Sequence, residues 1–366
     1  YIAVNFDGKV SDKATPGQSI VNKAVQLINN SKVPTPEPQV TVPPTEPDKE
    51  DLKCTTNPTS GAYENCDDID GKTVVKGDYI DYRLTLDAKP AASKIAYRVH
   101  KLGMVDLYNS EYLSLDAKDV KVTVKSVGSD AADKFTVGMD VTDMFNIQID
   151  PNGASKTRGM EDNVGRAYIF AKTVDTVLNT TGETIPGNPQ PKDLAAYDQA
   201  PIDPLKDPGI NQDLLGNEYY IYLRAKVVKE TDGYTIYNQA EQNFENMHTV
   251  TKVVSNPLKE LKPEKDVTVE VGGESINHGE VPLNGNFNYL LKSSIIPADR
   301  AYETSQWSIV DDYDESADRY LGQYVIRTQK DIYDEEELVA KAGSTVAVSE
   351  SMVCSAEPGG VVSPEA

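Results

Sequence analysis

The chain has 366 residues, with 58 Asp and Glu against 36 Lys and Arg, for a formal charge of −22. No basic cluster is present to meet a phosphate backbone, so nucleic acid is excluded as a partner, and no apolar run reaches the length that a membrane-spanning helix needs, so no membrane insertion is expected. An apolar fraction of 39% suits a surface-rich β protein, long enough for two domains or for one complete domain flanked by pieces of others.

The chain opens at Tyr1 with no charged-then-apolar leader and reads as part of something longer. Residues 33–47 hold Pro34, Pro36, Pro38, Pro43, Pro44 and Pro47 among alternating Val and Thr, which predicts an extended, semi-rigid connector. Cys54 and Cys66 bracket a polar loop, Thr55 to Gly61, and a disulfide between them is expected in an oxidising compartment. Cys354 is left over. Short runs rich in β-branched and aromatic residues predict strands over 73–75, 79–86, 120–127, 219–228, 234–237, 267–271, 288–291 and 320–328. Helical periodicity is weak and predicts only short helices over 131–134, 193–197 and 331–340. The fold class expected is all-β, a β-sandwich.

An internal repeat organises these elements. Asn-x-Ala-x-Gln occurs at Asn22 to Gln26 and at Asn238 to Gln242, and each copy is followed by Pro-x-Lys, at Pro47 to Lys49 and Pro263 to Lys265. From Asn to Lys the spacing is 27 residues in both copies, which marks a repeated domain junction. Further on, Met104-Val105-Asp106-Leu107-Tyr108 parallels Ile309-Val310-Asp311-Asp312-Tyr313. The first repeat is the longer, and most of its excess lies before Ile69, where Cys54 and Cys66 stand; a bridge there would tie down an insertion. The boundaries expected are residues 1–44, the last strands of one domain with the Pro-rich linker; 45–256, a complete domain; and 257–366, an incomplete second one.

Lys, Asp and Asn buried together can react with one another. Desolvation favours a neutral, nucleophilic amine and a protonated acid. The acid polarises the Asn carbonyl, the amine attacks, ammonia leaves, and an amide remains. This occurs once per molecule, so the set is a self-made crosslink and not a turnover site. The complete repeat offers Lys49, Asp106 and Asn238, with Lys53 as the rival nucleophile. In the second repeat, strand alternation would place Trp307, Ile309 and Asp311 on one inward face. After Asp311 no Asn occurs before Ala366 to partner Lys265, and the Lys that would partner Asn22 is expected upstream of this sequence.

Pro263 to Asp266, Asn238 to Ala240, Ile296-Pro297-Ala298-Asp299-Arg300, Val310 to Asp314 and Tyr320-Leu321-Gly322-Gln323-Tyr324 resemble the C-terminal domains of the streptococcal antigen I/II surface adhesins. Related wall-anchored adhesins and aggregation factors of Gram-positive bacteria carry similar domains. The resemblance implies tandem immunoglobulin-like (Cna-type) β-sandwiches, each locked by a Lys-Asn isopeptide bond with an Asp catalyst. It implies an extracellular, cell-wall-anchored stalk whose parent adhesin meets host surface or salivary glycoproteins or other bacteria. Carried over by position, it assigns Lys49 and Asn238 as the crosslink, Asp106 and Asp311 as catalysts, and Lys265 and Asn22 as members of neighbouring bonds. No cofactor is required; the family's calcium sites make a structural calcium at the acidic run from Asp311 to Asp318 an expectation.

An enzyme reading finds no support, since His100, His248 and His278 lie far apart and no nucleophile elbow, zinc motif or phosphate loop occurs. The alternative is a ligand-binding module, with Tyr219, Tyr220 and Tyr222 supplying an aromatic face for a host glycoprotein or carbohydrate. The bland reading of those tyrosines is strand alternation with one face in the core.

Overall fold

Four short strands open the chain: β1 (Ser19–Val21), β2 (Val25–Ile28), β3 (Ser31–Pro34) and β4 (Gln39–Thr41). The structure is a computed structural model and describes residues 4–348 apart from 6–7, 9, 12, 16, 44, 90–97, 130–132, 154–161, 175, 179–183, 187–190, 204–206 and 335–336. Cys354 therefore lies outside the described residues, as do residues 131–132 of the predicted helix over 131–134, whose other two residues form a turn. Strands β2 and β3 form a hairpin that turns through Asn29, whose φ is 52°; Asn tolerates this left-handed conformation better than most residues. Strand β4 returns to pair with β1. The Pro-rich stretch is thus partly laddered and not a bare spacer, because its described prolines fall at strand ends or between strands, where no ladder N–H is needed.

Next come β5 (Asp48–Thr56), β6 (Tyr63–Asp68), β7 (Tyr79–Asp87), β8 (Leu102–Tyr108), β9 (Leu113–Leu115), β10 (Lys121–Ser126), β11 (Phe145–Asp150) and β12 (Gly165–Ala171). After the small hairpin of β13 (Thr176–Leu178) and β14 (Thr184–Pro186), helix α1 (Leu194–Gln199) precedes β15 (Glu218–Val227), β16 (Thr235–Phe244), β17 (Met247–Val250) and β18 (Val254–Pro257). Two antiparallel sheets result. One runs β10-β15-β7-β5-β6 with β9 also on β15; the other runs β11-β12-β8-β16-β17 with β18 also on β16.

Period-two alternation builds the core between them. Ile80, Tyr82, Leu84 and Leu86 of β7 and Tyr219, Ile221, Leu223 and Ala225 of β15 face Met104, Ala167, Ile169, Ala240 and Phe244 of the other sheet. Gln242 crosses the same gap: its Nε2 donates to Asp87 O at 2.7 Å, and Asp87 N donates to its Oε1 at 2.9 Å. The outer face of the second sheet is covered by α1, where Leu194 packs on Val105, Tyr168 and Phe170. Asp193 caps this helix, accepting from the N–H groups of Ala195 and Ala196. Strand β8 is consequently buried on both faces along its whole length.

Residues just beyond β18 remain attached to the sandwich. Thr73 pairs in parallel with Arg300, and Val74 with Leu258. Thr73 N donates to Asp299 O at 3.0 Å, Ala301 N donates to Thr73 O at 2.8 Å, and Thr73 Oγ1 meets Asp299 Oδ2 at 2.9 Å. Ala301 is buried in the same core. The compact unit accordingly runs to Ser305, and also holds a two-stranded ladder of Glu264–Thr268 with Asn288–Lys292.

The second unit, from Gln306 onward, contains two small ladders: Val325–Arg327 with Thr345–Val348, and Ile332–Asp334 with Glu337–Ala340. The helix expected over 331–340 is therefore a hairpin. Four consecutive acidic residues, 334–337, would repel on one helical turn, while the flanking Ile332-Tyr333 and Leu338-Val339 favour strands.

Candidate functional site

Strand β5 begins Asp48-Lys49-Glu50-Asp51. Lys49 lies opposite Leu84 of β7, and Asp51 lies opposite Tyr82, so both share the core-facing side with those residues. Glu50 faces the other way and accepts two hydrogen bonds from the Arg83 guanidinium, at 2.7 and 2.9 Å. Lys49 and Asp51 are both 0% exposed. Burying an ionised side chain costs several kcal/mol unless a partner offsets it.

The partner comes from the opposite sheet. Asp106 on β8 pairs with Ala240 of β16, and Asn238, two residues along β16, shares the inward face of Ala240. One Asp106 oxygen, Oδ2, takes the Lys49 Nζ in a short contact; the other, Oδ1, accepts from Asn238 Nδ2 at 3.1 Å. Lys49 Nζ also lies 4.2 Å from the centre of the Tyr82 ring. Asp106 is 0% exposed and Asn238 1%.

Burial lowers the Lys49 ammonium's pKa, although the charges of Asp106 and Asp51 oppose the shift. Burial also pushes the Tyr82 phenol well above its ordinary value, so it stays protonated. Asn238 Oδ1 has no hydrogen-bond partner. An amine whose charged form burial disfavours thus stands beside a carboxyl group that also touches a carboxamide, and that set of groups suits amide exchange.

Of the sequence-predicted residues, the structure brings together Lys49, Asp106 and Asn238. Lys53, the rival, is only part-buried and pairs with Asp67 at 3.6 Å. Lys265 is exposed, with its Nζ 4.2 Å from the centre of the Tyr289 ring. Asn22 is exposed, and its N–H donates to Pro38 O at 3.0 Å.

Around Asp311 the expected strand alternation is absent. Residues 303–314 form no strand, and Trp307 and Ile309 are 53% and 42% exposed; among the described residues the second unit's ladders are two-stranded and offer no facing sheet. Asp314 is engaged by Ser316, whose N and Oγ both donate to its Oδ1. Among the described residues no group of three or more His, Cys, Asp or Glu side chains is placed to hold a metal ion.

Cys54 on β5 and Cys66 on β6 are joined by a disulfide. Beside it lies a buried ion pair that sequence reasoning missed: Arg224 donates to Asp81 through Nε at 2.7 Å and Nη2 at 2.9 Å, and to Cys54 O at 2.9 Å. Asp51 was missed as well, because Asp48 to Asp51 are all charged and no apolar alternation marks the inward face. Tyr219 is a core residue, whereas Tyr220 and Tyr222 point outward. Tyr222 is covered by stacking on Tyr63 at 5.1 Å, and Arg83 lies over Tyr220 at 4.5 Å.

Two facing antiparallel sheets with a Lys-Asp-Asn set sealed between them define a β-sandwich module. Two family models place it. Residues 59–258, more than half of the chain, match the cell surface antigen I/II C2 terminal domain, and residues 262–363 match the cell surface antigen C-terminus. The chain belongs to the antigen I/II family of cell-surface antigens.

It is 27% identical over 262 residues to the aggregation substance of Enterococcus faecalis, covering 71% of this chain and 16% of that protein. Among solved structures it resembles the C-terminal domain of the Streptococcus agalactiae antigen I/II polypeptide BspA, with 22% identity, 82% and 77% of the two chains covered, and a TM-score of 0.46. The C-terminal domain of the Streptococcus pyogenes antigen I/II-family protein AspA gives 19% identity, 82% and 78% coverage, and a TM-score of 0.47. Among the described residues no helix is long and apolar enough to cross a membrane.

Proposed function

We propose that this region is a stalk segment of a wall-anchored surface adhesin, and that its sandwich is locked by an amide between Lys49 and Asn238. One observation carries the reading: Asp106 touches Lys49 with one oxygen and Asn238 with the other, across two sheets and out of reach of water. The Lys49 amine attacks Asn238 Cγ while a proton resting on Asp106 passes to the amide. The Cγ–Nδ2 bond then breaks, ammonia leaves with Nδ2, and the proton lost by Nζ returns to Asp106. One carbon–nitrogen bond replaces another, and the chain becomes lighter by one ammonia. The reaction runs once, so the protein is not an enzyme in the turnover sense.

A crosslink from sheet to sheet suits a module that must carry tension, as in the attachment or aggregation of cells. Host surface or salivary glycoproteins, or other bacteria, are the partners we assign to the parent adhesin. Intact-mass measurement tests the bond: the wild type is expected one ammonia light, and Lys49→Ala and Asp106→Ala at full mass. A wild type at full mass would falsify it.

A further inference from the structure

The chamber around Lys49 holds a second acid that the crosslinking reaction as written leaves idle. Asp51 lies two residues from Lys49 on the same face of β5, opposite Tyr82. It is fully buried, and neither of its oxygens has a hydrogen-bond partner. A carboxylate in that position would cost several kcal/mol, which the neighbouring Lys49 offsets only in part. The groups that face it are Lys49 on its own strand, Tyr82 of β7, Asp106 of β8, Asn256 of β18, and the exposed Asp68 and Asp70 beyond the sandwich edge.

Asn256 stands beside Asp51. Its Nδ2 is committed to two backbone carbonyls, Ile69 O at 3.0 Å and Lys72 O at 3.2 Å. Its Oδ1 is buried without a hydrogen-bond partner. Asp51 is sealed from water with no hydrogen bond to stabilise a negative charge on either oxygen, and burial favours its protonated form.

We propose that Asp51 is a positioning residue of the crosslinking reaction: its uncharged carboxyl keeps the chamber neutral, so that Lys49 can pass its proton to Asp106 and react as an amine. The inference rests on the reading of Lys49, Asp106 and Asn238 given above. With Asp51 neutral, the Lys49 and Asp106 pair sums to zero charge either as ammonium and carboxylate or as amine and acid, and the proton moves between them without creating net charge. An ionised Asp51 adds a second negative charge that holds Lys49 as ammonium and stops the attack. Burial pushes the Asp51 carboxyl up to about 8, so the arrangement is in force at neutral pH and fails in alkali. Ordinary lysine acylation behaves in the opposite way, accelerating as pH rises.

The test follows the loss of ammonia by intact mass in the full chain, recovered unreacted in urea and refolded by dilution between pH 6 and pH 9.5. In the wild type the rate constant is expected to fall about tenfold per pH unit above the titration of Asp51. Asp51→Asn keeps the shape and cannot ionise; it should show no alkaline fall and react at least tenfold faster than the wild type at pH 9.5. A wild-type rate that climbs steadily with pH, or the same alkaline fall in Asp51→Asn, overturns the proposal.

If the wild type loses no ammonia at any pH, the crosslink reading fails, and a second measurement still decides the charge state of Asp51. Its folded value lies above its unfolded value of 3.8, so the native state holds the extra proton and stability falls as pH rises from about 4 to about 8. Urea midpoints of the wild type should drop across that window relative to Asp51→Asn. Parallel curves would show an ordinary carboxylate and sink the assignment.

Discussion

Lys49 stands on one sheet of the sandwich and Asn238 on the other, and the single carboxyl group of Asp106 contacts both. An amide between them would close a loop of 189 positions in the chain. Restricting an unfolded chain over a loop of that length contributes about 5 kcal/mol in the chain-entropy picture. Asp106→Asn keeps the shape but cannot move a proton, so it is expected to retain full mass and to melt roughly 10–20 °C lower. Lys49→Met removes the buried charge together with the bond, so a loss common to both variants belongs to the crosslink. Scanning calorimetry reads it; uncrosslinked variants that melt with the wild type would remove the stabilising role.

The disulfide acts on a smaller scale. Cys54 and Cys66 are 12 residues apart, which corresponds to about 3 kcal/mol of unfolded-state restriction. The two strands are also held by their ladder and by Arg224, so replacing both cysteines by serine should lower stability by no more than that and leave the ammonia loss intact. Chemical denaturation with and without reductant measures the first effect, and intact mass the second. A double-serine chain that no longer forms the amide would mean that the bridge positions Lys49, against this expectation.

Arg224 reaches Asp81 with two nitrogens, and Asp81 is wholly buried. Removing the guanidinium leaves a carboxylate inside the protein with only the Cys54 N–H for company. Breaking a buried pair from one side costs roughly 3–5 kcal/mol. Arg224→Leu is therefore expected to destabilise more than the double-serine variant, and Asp81→Asn in the same chain to recover much of the loss. Urea midpoints of the three variants check the order.

The all-β class and the trio of Lys49, Asp106 and Asn238 could be read from the sequence because each residue occurs in a repeated frame. Asp51 could not. Every position from Asp48 to Asp51 is charged, so the usual apolar alternation that names the inward face is missing, and only pairing with Leu84 and Tyr82 reveals it. The helix expected over 331–340 failed for a related reason: an acidic run looks helical by composition, while the pairing of Tyr333 with Leu338 depends on neighbours across a turn. Arg224 and Asp81 are 143 residues apart, a separation that no local pattern spans. The alternation around Asp311 rested on Trp307 and Ile309 facing inward, and both are exposed.

The motif from Ile296 to Arg300, noticed for its likeness to a family, has a physical task at the seam between the two family domains. Those domains meet between residues 258 and 262, yet the compact unit extends to Ser305, because Asp299 and Ala301 bond Thr73 and Ala301 is buried in the sandwich core. Tyr302 adds a hydrogen bond to Tyr79 O at 2.7 Å, and Arg300 lies 3.5 Å from Asp78. A long charged side chain at position 301 has no room in that core and must push the segment out. Ala301→Lys is thus expected to leave the Lys49–Asn238 chemistry untouched while residues 259–302 become open to protease, cut at least tenfold faster than in the wild type once the local clamp opens. Limited proteolysis followed by mass mapping locates the cuts. Equal cutting rates in both chains would mean that the segment is held by something other than this clamp.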